Sequence, residues 1–226
     1  PLKLLRWLVR ADSPLLFRPR ADWRQWLWLA GFLRECTPQR TKHNLAQLVR
    51  LGLYSRAELQ SLRRDTGIRY DETTRGILHF YTDPAEFAAA REPARLMTEL
   101  GCERRLLDAD EAIAVEPALA AIRGRLAGAT YTAGDESGDA CAFTRALAER
   151  CRQRGVRFLT GHRVTALRAH GLHIDHAELV DADGAYRQLR ADRYLLAAGS
   201  WSPLLAEPLG LRLRVYPAKG YSLTMP

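Results

Sequence analysis

The stretch Asp192-Arg-Tyr-Leu-Leu-Ala-Ala-Gly-Ser-Trp-Ser202 decides how this chain is read. Tyr194, Leu195 and Leu196 form a short apolar run of the buried-strand type. Ala197, Ala198 and Gly199 then reduce the side chains almost to nothing. Ser202-Pro203 opens the apolar segment Leu204-Leu205-Ala206, which reads as a helix with serine at the N-cap and proline at N1. A buried strand that ends in small residues and turns into a helix lets backbone approach a large ligand closely, and a helix N-terminus favours anions. The same residues also describe a plain tight turn between strand and helix.

The residues leading into this stretch alternate helix and strand. Ala129–Thr132 reads as a short strand, followed by the polar loop Gly134-Asp-Glu-Ser-Gly-Asp139. Cys141 to Arg154 reads as a helix closed by Gly155. Strands are expected at Val156–Leu159, Arg163–Arg168, Ala177–Val180 and Tyr186–Arg190, the last two joined by an Asp183-Gly184 turn. Helix and strand in this order indicate a mixed α/β architecture. Its 226 residues suffice for one large domain or two small ones.

The earlier half is mostly helical. Leu2–Arg10 places apolar residues at helical spacing, and Trp23–Leu33 is a second, aromatic-rich helix too short to span a bilayer. Leu45–Arg64 reads as a long amphipathic helix stopped by Gly67. Gly76–Thr82 is a strand by its β-branched and aromatic content. Asp83-Pro84 starts a helix towards Leu100, and a short helix from Asp108 to Val115 ends at Glu116-Pro117.

The net charge of +8 sits in one segment: residues 1–64 hold 13 of the 34 Lys/Arg and only 4 of the 26 Asp/Glu. The balance elsewhere argues against nucleic-acid binding over a spread basic face. A basic, tryptophan-bearing segment at 1–34 is read either as helices packed on a domain or as a surface resting on an anionic membrane. The four cysteines, Cys36, Cys102, Cys141 and Cys151, form no metal spacing and read as reduced thiols.

Several chemistries are missing. There is no G-x-G-x-x-G, no phosphate-binding P-loop and no nucleophile elbow. His170, His173 and His176 are spaced so that a strand would put neighbours on opposite faces, which leaves no metal site. Asp135, Glu136 and Asp139 lack the spacing of a calcium loop and are read as caps of the following helix.

Taken together, Tyr54-Ser-Arg56, Thr66-Gly-Ile-Arg-Tyr-Asp71, Gly76-Ile-Leu78, Glu116-Pro-Ala-Leu119, Asp135-Glu-Ser-Gly-Asp139, Ala198-Gly-Ser-Trp-Ser202 and Tyr216-Pro-Ala-Lys-Gly-Tyr-Ser-Leu-Thr224 resemble the FAD-dependent amino-acid oxidoreductases of the D-amino-acid oxidase and glycine oxidase class, in particular its bacterial D-amino-acid dehydrogenase small-subunit branch. The resemblance covers nearly the whole chain. It lacks the family's N-terminal dinucleotide fingerprint and its C-terminal flavin- and carboxylate-binding part. The chain also starts at Pro1 rather than Met. An internal fragment of a longer protein is therefore expected.

The resemblance implies a Rossmann-like FAD-binding domain interleaved with a substrate domain on a large mixed sheet. Residues 1–133 would belong to the substrate domain, 134–202 to part of the FAD domain, and 203–226 would return to the substrate domain. Val164 would contact the adenine. Ala198 and Gly199 would run beside the ribityl-diphosphate with Trp201 packed next to them, unless Trp201 is an ordinary core residue. Lys219 and Gly220 would lie near the flavin, and His79, Tyr81 and Tyr221 are weaker candidates for the substrate pocket. The implied reaction is oxidative deamination of a D-amino acid to a 2-oxo acid and ammonia, with electrons passed to a quinone or other respiratory acceptor at the inner face of the cytoplasmic membrane. Two alternatives are an oxygen-using oxidase of the glycine or sarcosine type and a non-catalytic domain.

Overall fold

The computed structural model describes residues 19–220. The Leu2–Arg10 helix and Tyr221 lie outside the described residues. Aspartates start four helices: α1 (Trp23–Glu35) after Asp22, α3 (Pro84–Glu99) after Asp83, α4 (Ala109–Val115) after Asp108 and α5 (Ala140–Gln153) after Asp139. In each case the carboxylate accepts a backbone N–H of the first turn, at 2.9 Å from Arg24, 2.7 Å from Ala85, 2.8 Å from Glu111 and 2.7 Å from Cys141. Such a cap contributes about 1 kcal/mol. At α4 the cap is reciprocal, because Glu111 accepts from the Asp108 N–H at 3.0 Å. The long helix α2 (Pro38–Thr66) begins seven residues before the expected Leu45, since Pro38 suits a first helical position.

The chain divides into two compact units, residues 38–157 and residues 1–37 with 158–226. In the first, strands β1 (Ile77–Tyr81), β2 (Arg104–Leu107) and β3 (Gly128–Thr132) form an antiparallel sheet with β3 in the centre. Phe80, Ala129 and Leu107 stand opposite one another across the three strands. On this side Leu107 and Ala129 join Ala112, Leu119 and Leu126 in the core, with Leu78, Ile113 and Tyr131 packed around them. Ala112 and Leu119 come from α4 and from the 3-10 helix Pro117–Arg125. Strand β2 carries no sequence signal of its own, Arg104-Arg-Leu-Leu107 being neither alternating nor β-branched. Pairing with β3 makes it a strand.

The second unit carries the antiparallel sheet β4 (Arg163–His170), β5 (His173–Val180) and β6 (Tyr186–Leu189), in that order. His170 pairs with His173 across the Gly171-Leu172 turn. The three regularly spaced histidines therefore mark a hairpin. Among the described residues no His/Cys/Asp/Glu group is arranged to hold a metal ion. All four cysteines are free.

Two expectations are corrected here. Val156–Leu159 is not a strand, and neither is the Tyr194–Leu196 run. Apolar content favours a strand only where a neighbour supplies hydrogen bonds, and neither segment joins a sheet ladder among the described residues. Both remain open to solvent: Val156 is 50 % exposed and Leu195 93 %. The described residues thus form two small sheets and not one large mixed sheet. No helix among them is long and apolar enough to cross a membrane.

Candidate functional site

The Ala198–Gly199 turn keeps the small-residue opening that the sequence promised. Gly199 has φ +54°, a left-handed conformation that side-chain-bearing residues rarely adopt. A Cβ there would meet nothing within 4 Å, so the backbone faces open space. A 3-10 turn at Gly199–Trp201 runs into the short helix α6 (Ser202–Ala206), and neither has a side-chain cap. Ser202 is buried inside the helix as its first residue and does not cap it. Trp201 is 68 % exposed and is no core tryptophan. An approachable backbone and an exposed aromatic ring fit a large flat ligand such as FAD.

Val164 lies on β4 at a break in strand register, where the pairing passes from Val164–Leu179 to Ala166–Glu178. Such bulges bend a strand and re-aim its side chains, and Val164 is exposed. Lys219 and Gly220 are exposed in the irregular segment that follows Gly210. In the other unit, His79 and Tyr81 share one face of β1 by alternation. His79 is exposed, whereas the Tyr81 ring packs against Phe87 of α3, with centroids 5.7 Å apart.

Trp201 lines a cavity of about 880 Å³ together with Trp23, Leu27, Trp28, Leu211 and Tyr216. Trp28 stacks on Phe32 at 5.3 Å and lies 6.1 Å from the Tyr216 ring. Val164, Ala198, Gly199, Lys219 and Gly220 are not among the lining residues. The cavity and the turn therefore share only the Ser200-Trp201 corner.

The 38–157 unit contains a polar cluster that the sequence reading assigned differently. Only Asp139 caps α5. Glu136 instead receives hydrogen bonds from the Arg63 guanidinium and the Gln60 amide. Arg63 also donates to the Tyr70 hydroxyl at 3.0 Å, and Arg56 pairs with Asp135 at 3.5 Å. Glu136 is largely buried, with 9 % of its side chain exposed. The Arg63 guanidinium holds its carboxyl below the usual carboxylate range, against the opposing effect of burial. Gly134 and Gly138 permit this packing: a Cβ on Gly138 would stand 2.5 Å from the Tyr70 ring, and one on Gly134 2.5 Å from the Arg56 guanidinium. The cluster had a legible signal, because Arg56, Gln60 and Arg63 recur at helical spacing along one face of α2.

Comparison with known proteins places this geometry. The chain belongs to the FAD dependent oxidoreductase family, whose match runs over residues 18–226. It is 47 % identical over 223 residues to a D-amino acid dehydrogenase of Dechloromonas aromatica, covering 99 % of this chain and 53 % of that protein. It is 48 % identical over 225 residues to a D-amino acid dehydrogenase of Paramagnetospirillum magneticum, covering 99 % of this chain and 52 % of that protein. The chain thus spans about half the length of these curated relatives. Among solved structures, glycine oxidase from Geobacillus kaustophilus is similar with a TM-score of 0.60 at 28 % identity, over 75 % of this chain and 45 % of that one. L-proline dehydrogenase from P. horikoshii shares the fold, with a TM-score of 0.57 at 16 % identity, over 70 % of this chain and 40 % of that one.

Proposed function

We propose that this chain is part of an FAD-dependent dehydrogenase that deaminates D-amino acids oxidatively to 2-oxo acids and ammonia. The observation that carries this reading is the open, left-handed Ala198–Gly199 turn in a chain aligned over 99 % of its length with D-amino acid dehydrogenases. FAD, when bound, supplies the acceptor for the hydride that leaves the substrate α-carbon. Gly199 and Ala198 leave their backbone free for close approach, with Trp201 beside them. Val164, re-aimed by its bulge, serves the adenine end. Lys219-Gly220 offers a cation and a small residue near the ring. His79, with Tyr81 behind it, borders the substrate. We read 134–202 as cofactor-domain sequence and 1–133 and 203–226 as substrate-domain sequence, although the compact units divide elsewhere.

The apolar Val156–Leu159 and Tyr194–Leu196 runs, which lie outside both sheets, support this reading, since a parallel cofactor sheet is built from such apolar segments. A respiratory quinone is the proposed electron acceptor. The basic, tryptophan-bearing segment 1–34 is the proposed contact with the inner face of the cytoplasmic membrane. To test the activity, the full-length protein is purified and assayed with D- and L-amino acids, using a quinone analogue and oxygen as alternative acceptors. Quinone-linked turnover of the D-enantiomers alone is expected. Peroxide release with glycine or sarcosine would instead establish an oxidase, and a colourless protein would remove the flavin reading.

A further inference from the structure

We infer that Tyr194 is a positioning residue: its phenol is the latch that fixes where the Ala198–Gly199 turn leaves the β4–β5–β6 sheet, and so how tightly the turn holds FAD. The inference rests on the proposed cofactor role of that turn. The sequence sets Tyr194 in an apolar run, yet its hydroxyl is fully engaged. It accepts the Ala191 N–H at 2.9 Å. Its own proton is shared between two backbone carbonyls, that of Asp175 on β5 at 3.1 Å and that of Leu189, the last residue of β6, at 3.3 Å. One phenol thus gathers backbone groups from two strands and from the corner that follows β6.

The corner is braced from its other side. The Asp175 carboxylate accepts from His176 Nδ1 at 2.7 Å and from the Arg190 guanidinium. Ala198 lies four residues beyond Tyr194. Leu195, Leu196 and Ala197 belong to neither sheet among the described residues, so the phenol joins the sheet to the turn across that run. Past the turn the chain is held by other means: the Trp201 N–H donates to the Ala198 carbonyl at 3.0 Å, and Ser202 and Ala206 are buried. Without the hydroxyl, the three backbone groups lose this partner and the run samples positions other than the one that meets FAD. The apparent dissociation constant then rises by the inverse of the fraction in the competent position. For the net worth of one hydrogen bond the rise is about 10-fold. Saturating FAD restores the competent position, so turnover is spared.

The test strips flavin from the full-length protein and titrates the apoprotein with FAD, read by flavin fluorescence. Tyr194→Phe should bind FAD about 10-fold more weakly than the parent. Tyr186→Phe is the control: it removes another phenol from the same sheet, one bonded to Glu178, and should bind FAD as the parent does. At saturating FAD and with a soluble redox dye, kcat and the KM for a D-amino acid should be the same in all three proteins. Equal FAD affinity in Tyr194→Phe and the parent overturns the inference. So does an equal loss in both variants, because the sheet as a whole would then be loosened, and so does a changed KM at saturating FAD, because the phenol would then act on the substrate. A full-length parent that is colourless and takes up no FAD overturns the cofactor reading itself, an outcome distinct from these.

Discussion

The Arg63 guanidinium grips the Glu136 carboxylate across 73 residues of sequence, its second nitrogen 3.3 Å from the other carboxylate oxygen. This pair ties the long helix α2 to the Gly134–Asp139 loop that leads into α5. The loop is further fixed by paired backbone hydrogen bonds between Thr73 and Ser137, at 2.8 and 3.0 Å. Removing one partner leaves the other charge partly desolvated and alone, which costs more than the pair contributes. Glu136→Ala should therefore lower Tm by about 5 °C. The R63M/E136L double variant, which removes both charges, should recover part of the loss in calorimetry.

Glu178 offers a pH test in the other unit. Hydrogen bonds from Arg168 and Tyr186 bring its carboxyl from the ordinary 4.5 down to about 2. A depressed folded-state value means that the contribution is fully present above pH 4.5 and is lost as pH falls from there towards 2. Arg168→Met should raise the Glu178 midpoint towards its ordinary value, read by NMR titration of the carboxyl carbon. Stability of the variant should also fall less steeply over that window.

Gly138 is a packing test. Its missing Cβ would fall 2.5 Å from the Tyr70 ring and 3.1 Å from the Tyr70 carbonyl oxygen. Gly138→Ala must displace Tyr70 or the loop. A cost of about 1–3 kcal/mol in denaturant unfolding is expected, whereas alanine at Gly124, where nothing lies within 4 Å, should be tolerated.

Gly199 separates folding from cofactor retention. At φ +54° a β-branched residue adds about 1–2 kcal/mol of local strain. It also fills the space through which backbone is approached. Gly199→Val in the full-length protein should reduce FAD content per chain, measured by flavin absorbance after denaturation, with the circular dichroism spectrum little changed.

Leu195, at 93 % exposure, and Phe158, at 42 %, mark the two apolar runs that lie outside both sheets. Exposed apolar segments template association. The 226-residue chain produced alone should self-associate in light scattering and bind a hydrophobic dye. The F158K/L195K variant should reduce both signals.

Much of the fold was legible because it is local. An aspartate before a helical run satisfies N–H groups two or three residues away, so Asp83, Asp108 and Asp139 marked their helices from sequence alone. The Asp183-Gly184 turn and the Ala198–Gly199 opening were legible for the same reason. The candidate site was legible only in part. Resemblance drew attention to Val164, Trp201 and Lys219, but the cavity that Trp201 shares with α1 depends on residues more than 160 positions away in sequence.

By itself the sequence determined where most of the helices lie and which turn has room for a ligand's approach. Tertiary structure decided what depends on partners distant in the chain. Arg104–Leu107 became a strand because β3 lay alongside it, and Tyr194–Leu196 did not, joining neither sheet among the described residues. Asp139 kept its local role as a cap, while Asp135 and Glu136 turned to Arg56 and Arg63. A carboxylate's choice between a nearby N–H and a distant guanidinium depends on what folding brings within reach, and no local pattern encodes that.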